Sequence, residues 1–295
     1  MTNASFSYQP YDAAPNTPKL TLPLGSVDTH MHVFGPLSRY AYTKDRSYTP
    51  TDASLDAYLA MAKTVGIART VVVQPSVYGT NNSATADAVK ALGHKRGRGV
   101  AVVDASISDE ELQQLHEEGF RGIRLNLLFK GGVDFTAVQS LAKRLADRDW
   151  HIQFLVDVSE FDNLYERLSM LPVTVVIDHM GHMPAHKGLN NAGFKALLKL
   201  VERGNCWVKL SGPYRFTAQT QTPYSDVVPY AQALIAANPE RMVWGSDWPH
   251  PAINVPMPND GALVDMLGDW AKTPQLLQQI MVQNPQTLYG FERME

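Results

Sequence analysis

Eight short stretches of the chain read as strands, and longer amphipathic stretches separate most of them. Residues 26–34, 69–76, 99–106, 122–128, 151–157, 173–180, 206–212 and 242–247 either alternate apolar with polar positions or run almost continuously apolar. Thr70-Val71-Val72-Val73 and Val173-Thr174-Val175-Val176-Ile177 are of the second kind, the pattern of strands buried on both faces. Between the strands, Leu55, Tyr58, Leu59 and Ala62 fall at helical spacing. Ser108-Asp109-Glu110-Glu111 is a capping box ahead of Leu112 and Leu115, with Gly119 as the stop. Residues 135–148, 161–171, 194–203 and 227–237 carry comparable apolar faces, closed by Pro172, Gly204 and Pro239. Residues 274–291 predict a final helix pair whose second member opens at Pro285.

Strands alternating with helices of this length predict a (β/α)8 TIM-type barrel. The rival is an open doubly wound sheet with its site at a switch point. No Gly-x-Gly-x-x-Gly opens a helix, and composition does not shift along the chain. A single barrel domain over residues 21–295 is therefore expected. Residues 1–20, polar and proline-containing, are expected to form a tail or a strap across it.

Composition narrows the classes. The 295 residues, 44% of them hydrophobic, suffice for one such barrel without a second core. A formal net charge of -3 offers no basic surface to nucleic acid or an anionic membrane. No run of apolar residues is long enough to span a bilayer, and the N-terminus lacks the apolar core of a signal peptide. Cys206 is the single cysteine and lies in Asn205-Cys206-Trp207-Val208, so a buried thiol in a reducing cytoplasm is expected. The sequence leaves a homo-oligomer open.

Barrel enzymes place their chemistry at the C-terminal ends of the strands. In Val27-Asp28-Thr29-His30-Met31-His32-Val33-Phe34, residues two apart share a face, which groups Asp28, His30 and His32. Alone, such a His-x-His is as readily a pair of hydrogen-bonded core histidines. The second strand leads into Gln74, Ser76, Tyr78, Thr80 and Asn82. The fourth carries Arg124 and Asn126 among apolar neighbours, and an arginine so placed needs an anion or a pocket. The fifth offers Gln153 and Asp157, the sixth Asp178-His179-Met180-Gly181-His182, and the seventh Lys209, Ser211 and Tyr214-Arg215. The eighth ends in Ser246-Asp247-Trp248-Pro249-His250. His182, His186 and His250 lie in loops and are expected to be solvated, and His94, His116 and His151 fall away from the mouth.

His30, His32, His179 and Asp247 put three imidazoles and a carboxylate at three strand ends. Such a set suits a carboxylate base acting on water beside histidines that hold a carbonyl oxygen. His30, His32 and Asp247 would also serve a metal. Arg124, with Lys130 and Arg215 on adjoining loops, gives the mouth a cationic wall suited to substrate carboxylates.

The chain resembles the amidohydrolase superfamily. The resemblance rests on His30-Met31-His32, on His179 in Ile-Asp-His-Met-Gly, on Asp247 in Trp-Gly-Ser-Asp-Trp-Pro-His, and on Asn284-Pro285 with Leu288-Tyr289-Gly290. Val-Asp-Thr-His-Met-His-Val-Phe-Gly-Pro, Arg-Gly-Ile-Arg-Leu-Asn and Ser-Asp-Trp-Pro-His-Pro are similar to the branch that contains 2-pyrone-4,6-dicarboxylate lactonase. The resemblance runs from about residue 25 to the C-terminus. It implies a hydrolase that opens a small anionic lactone in aromatic-compound catabolism. Asp247 would be the general base, and His30, His32 and His179 would surround the carbonyl oxygen. Arg124, Lys130 and Arg215 match positions that hold substrate carboxylates, and Tyr48 and Ser76 match further pocket positions. Two residues depart from the dicarboxylate pattern: Lys130 stands where that pattern has arginine, and Leu155 where it has tyrosine. A lysine cannot fork onto a carboxylate, so the anionic end of the substrate is expected to differ. A lactone isomerase, or a metal-dependent decarboxylase or hydratase, would share the same barrel. For cofactors the resemblance implies either none or one divalent metal, Zn2+ before others. Gln153 stands where metal-dependent members carry a fifth-strand histidine, and Arg124 beside a cation is unfavourable.

Overall fold

A computed structural model describes residues 9–128 and 135–293. Its centre is one sheet of eight parallel strands in sequence order. These are β1 (Val27–Met31), β2 (Arg69–Val73), β3 (Gly97–Ala101), β4 (Phe120–Asn126), β5 (His151–Leu155), β6 (Thr174–Ile177), β7 (Cys206–Leu210) and β8 (Met242–Trp244). The helices are α1 (Leu55–Val65), α2 (Ser83–Leu92), α3 (Asp109–Glu117), α4 (Phe135–Ala146), α5 (Leu164–Ser169), α6 (Ala192–Arg203), α7 (Val228–Ala237), α8 (Asp260–Trp270), α9 (Pro274–Gln278) and α10 (Asn284–Tyr289). This is the expected (β/α)8 barrel. No helix among the described residues is long and apolar enough to cross a membrane.

The strands are buried on both faces, and each face has its own filling. Val71, Val73, Val100, Val176 and Val243 cluster with Leu288, Tyr289 and Phe291, which floor the barrel. Alternate residues such as Val72, Ile123 and Ile177 belong to the larger core with the helices. The Ser108 capping box forms as the sequence predicts, its hydroxyl accepting from Glu111 N–H.

The ring closes where β1 meets the chain leaving β8. Met31 and Trp248 form a parallel bridge. Asp247 N–H donates to His30 O at 2.7 Å, and His32 N–H donates to Trp248 O at 2.8 Å. Gly245 permits this approach, because a Cβ there would lie 2.6 Å from His30 Cβ. Asp28 latches the same seam. It accepts from Ser246 N–H at 2.9 Å, Ser246 Oγ–H at 2.5 Å and Tyr58 O–H at 3.0 Å. Burial drives its carboxyl up to about 6 despite these donors.

Several expectations need correction. Asp28 does not share the face of His30 and His32: the register shifts between Asp28 and Met31, and its carboxylate meets Tyr58 on α1 instead. Most strands end sooner than the alternation suggests, because the polar residues that prolong the pattern already lie in loops. Helices α2 and α8 are additional to those expected, with buried faces over Ala84, Ala88, Val89 and Leu92 and over Leu263, Val264, Leu267 and Trp270. The C-terminal pair is one unbroken helical rod, with a π-turn over Gln279–Gln283 between α9 and α10. The wider turn accommodates Pro285, which has no N–H to give.

Residues 9–20 run over α8 and the loop before it. Gln9 bonds Val255 O and Met257 N–H, Asp12 accepts from Asn259, and Asp265 accepts from the Lys19 and Leu20 N–H groups. Gly261 lets this segment lie close, since a Cβ there would sit 2.0 Å from Asn16 O.

Candidate active site

His30 and His32 leave the end of β1, His179 stands in the turn after β6, and Asp247 follows β8. His179 and Asp247 both sit in the left-handed region, at φ of 51° and 64°. Such conformations are costly for non-glycine residues and concentrate at functional sites. The four residues converge on one atom. Asp247 Oδ1 lies 3.8 Å from His30 Nε2, 3.7 Å from His32 Nε2 and 3.9 Å from His179 Nε2. All four side chains are buried, yet Asp247 Oδ1 and His30 Nε2 have no hydrogen-bond partner. Buried polar atoms left without partners point to a missing occupant.

The outer nitrogens show what that occupant must be. His32 Nδ1 lies 2.7 Å from Val73 O, so it carries the proton and donates; Nε2 is a bare lone pair. His179 Nδ1 lies 2.9 Å from Ser211 Oγ. His30 Nδ1 is 3.4 Å from both Asp178 Oδ1 and Lys209 Nζ. Burial holds the imidazoles neutral: His30 falls to about 3, His32 falls, and His179 falls well below the usual histidine value. Burial alone would raise the Asp247 carboxyl, but Arg215, followed by His179, holds it well below the usual carboxylate range. Asp247 Oδ1 and His32 Nε2 are therefore two acceptors facing the centre, which suits a group that donates or is positive, such as a water or a cation. His30, His32 and Asp247, or His30, Asp178 and His179, bring ligand atoms within 4.8 Å of one another, and such a nitrogen and oxygen set fits a divalent ion.

A buried plate lies beneath. Asp178 Oδ2 accepts from Arg124 Nε at 3.1 Å and from Gln153 Nε2 at 3.0 Å. Lys209 Nζ donates to Thr29 O and Gln153 Oε1, both at 2.7 Å, and burial lowers its amine to about 7. Gln153, Asp178 and Lys209 lie at the strand ends that the sequence singles out, but only the structure shows them as one network.

Above the four residues opens a cavity of about 590 Å³, lined among others by Tyr48, Ser76, Arg124, Asn126, Leu155 and Arg215. Tyr48, Ser76, Arg124, Asn126 and Arg215 are thus brought together with His32, His179 and Asp247, while Lys130 lies outside the described residues. The cationic wall already has carboxylate partners within the protein. Arg124 pairs with Asp178, and Arg215 Nε lies 2.5 Å from Asp247 Oδ2. Of the histidines expected to be solvated, His182 is half-buried and His250 is fully buried. His182 lines the cavity, and His250 is buried between Tyr214 and Asp260. Their loop positions gave no sign of this, because the groups that bury them come from other segments.

Comparison with known proteins places this geometry in a family. The model of a family described as Amidohydrolase matches residues 27–291. The chain is 42% identical to a 2-pyrone-4,6-dicarboxylate hydrolase of Comamonas testosteroni, over 96% of this chain and 95% of the relative. It is 35% identical to a 4-sulfomuconolactone hydrolase of Hydrogenophaga intermedia, over 93% of this chain and 92% of the relative. A solved Pseudomonas putida structure, described as a 2-pyrone-4,6-dicarboxylic acid hydrolase, superposes with a TM-score of 0.81 at 32% identity, covering 92% of this chain and 100% of its own. With a matching family model over nearly its whole length and a carboxylate ringed by three imidazoles at the barrel mouth, the chain belongs to the amidohydrolase family.

Proposed function

We propose that the protein is a lactonase that opens a small carboxylated lactone, of the pyrone-dicarboxylate or muconolactone type, by adding an Asp247-activated water to the ring carbonyl. One observation carries this reading: the buried, unpartnered Asp247 Oδ1 with three imidazole Nε2 atoms within 3.9 Å. His32 Nε2 has no proton to give, because the ring's proton is committed to Val73. It and Asp247 Oδ1, 3.7 Å apart, are two acceptors that one water bridges with both its protons. That leaves the water's lone pair for the carbonyl carbon, and Asp247 takes the proton as the C–O bond forms. In the tautomer whose Nδ1 takes the Ser211 hydroxyl proton, His179 would present Nε2–H to the developing oxyanion. Collapse of the adduct breaks the ring C–O bond, and the proton on Asp247 goes to the leaving oxygen.

Arg124, Asn126, Arg215, Tyr48 and Ser76, with Lys130, bind the anionic end of the substrate in this proposal. A divalent metal, Zn2+ before others, would be held by His30, His32 and Asp247 and would supply Lewis-acid polarisation of the carbonyl. Residues 21–295 act as one catalytic domain, with 1–20 as a strap. A panel of anionic lactones followed by proton release, with and without chelator, tests the function. Turnover abolished by Asp247→Asn supports it, whereas a rearranged lactone without proton release replaces hydrolysis by isomerisation.

A further inference from the structure

A file of four buried side chains runs away from the catalytic centre, and the chemistry described so far uses only its first member. Tyr214, in the turn after β7, lies with its hydroxyl 2.7 Å from Asp247 Oδ2 and 2.8 Å from His250 Nδ1. His250 Nε2 in turn lies 3.1 Å from Asp260 Oδ1, at the first residue of α8. Tyr214, His250 and Asp260 are all buried.

Counting protons fixes the direction of the file. Ionised Asp247 has only lone pairs to offer, so the single phenol proton goes to Oδ2. The phenol oxygen then accepts, which requires the proton of His250 on Nδ1. His250 Nε2 and Asp260 Oδ1 must then share one further proton, because two bare acceptors at that distance repel. Asp260 thus sets His250, His250 sets the Tyr214 hydroxyl, and the hydroxyl sets the Asp247 carboxylate. Burial, and then the charge of Asp247, hold the phenol well above its usual range, so it stays a donor.

The other partner of Asp247 Oδ2 is Arg215, which lines the cavity and stands where a substrate carboxylate would compete for it. Tyr214 also lines the cavity, but it is uncharged and its hydroxyl already bonds both Asp247 and His250, so a substrate carboxylate has less to draw it away. The backbone reinforces the arrangement: Asp247 and His250 are both left-handed, at φ of 64° and 59°, and His250 N–H donates to Asp247 O at 2.7 Å.

We infer that Tyr214, oriented by the His250–Asp260 pair, is the positioning residue of this enzyme's base. It keeps Oδ2 engaged so that Oδ1 faces the imidazoles whether or not Arg215 has turned to substrate. The inference rests on the lactonase reading for its catalytic consequence.

The test uses the full-length protein and a lactone that it hydrolyses. Tyr214→Phe is expected to lower kcat by about a hundredfold, the scale of a slight misplacement of a reacting group, with KM within about twofold. Asp260→Asn is expected to lower kcat less, and to add nothing on top of Tyr214→Phe, because it acts through the same hydroxyl. Losses that multiply, a KM that rises in step, or an unchanged kcat in Tyr214→Phe would overturn the inference. A second readout does not need turnover. In protein labelled with 15N-histidine, the His250 Nδ1–H should give a slowly exchanging signal, assigned by its absence in His250→Gln. Asp260→Asn should abolish it and Tyr214→Phe should shift it. If no lactone is hydrolysed, the functional reading fails by itself, and a missing Nδ1–H signal still overturns the file. Should Tyr214→Phe not fold, Asp260→Asn carries both readouts.

Discussion

Arg215 and Asp247 form an ion pair in the pocket wall, Nε to Oδ2 at 2.5 Å. A base held this way is ionised but weak, and a substrate carboxylate that draws Arg215 off would strengthen it at the moment of need. Asp247 has its carboxyl depressed below the usual value, so the active, ionised form persists as pH falls until that depressed value is passed. As far as Asp247 alone sets it, log kcat/KM of the wild type is therefore expected to stay level from pH 8 down to about 4, the ordinary carboxylate range. In Arg215→Gln the acid limb should move upward and KM for anionic lactones should rise. Rates measured across this range check both; a wild-type limb near pH 6 that moves in Arg215→Gln would contradict the depressed carboxyl, whereas one that stays put belongs to Asp28 or Lys209.

Asp247→Asn keeps the shape of the side chain and removes the base. Turnover should fall by about 10²–10⁴-fold, the usual contribution of a general base, while lactone binding persists. Proton release gives the rate and calorimetry the binding. Near-normal kcat would mean that another group takes the proton.

Arg124→Met has two effects. It takes a guanidinium from the pocket, so KM for carboxylated lactones should rise at least about tenfold, the scale of a lost charge-assisted contact. It also strips Asp178 of one partner, which should cost about 1–3 kcal/mol of stability. Urea denaturation beside steady-state kinetics separates the two. Unchanged KM with lowered stability would make Arg124 a structural partner of Asp178 only.

Gly261→Ala places a methyl where Asn16 O now lies, at 2.0 Å. The segment over α8 should lift, and Pro251–Val255, which line the cavity, should lose their brace through Gln9. A raised KM and faster proteolysis near residue 255 are expected, with kcat little changed. A proteolysis pattern identical to the wild type would show that the loop holds itself.

Much of this was legible before the structure. The strands announce themselves because burial on both faces demands β-branched runs, and His30, His32, His179 and Asp247 stand out because they interrupt such runs. Other features were hidden for physical reasons. Helix α2 buries a face made largely of alanine and a threonine, which is a weak apolar signal, whereas α8 buries Leu263, Val264, Met266, Leu267 and Trp270, a stripe that the spacing does carry. β3 begins at Gly97 because Thr70 and Val71 of β2 pair with Gly97 and Arg98, and the charged Arg98 is accommodated by Tyr289 O and Gly290 O, contacts nearly two hundred positions away along the chain. Asp28 was misplaced because one irregularity in β1 turns it outward. His250 looked like a loop histidine because Tyr214, which encloses it, comes from another strand's end.

The seam between β1 and β8 has a consequence for folding as well as shape. His30 and His32 lie at the first strand and Asp247 follows the last, and backbone bonds between the two segments bring them together. With Asp247 as the proposed base, a barrel whose last strand has not joined the first holds the histidines but lacks the group that would activate water. In that reading catalytic competence and ring closure arrive in a single step, so hydrolytic activity reports a finished barrel.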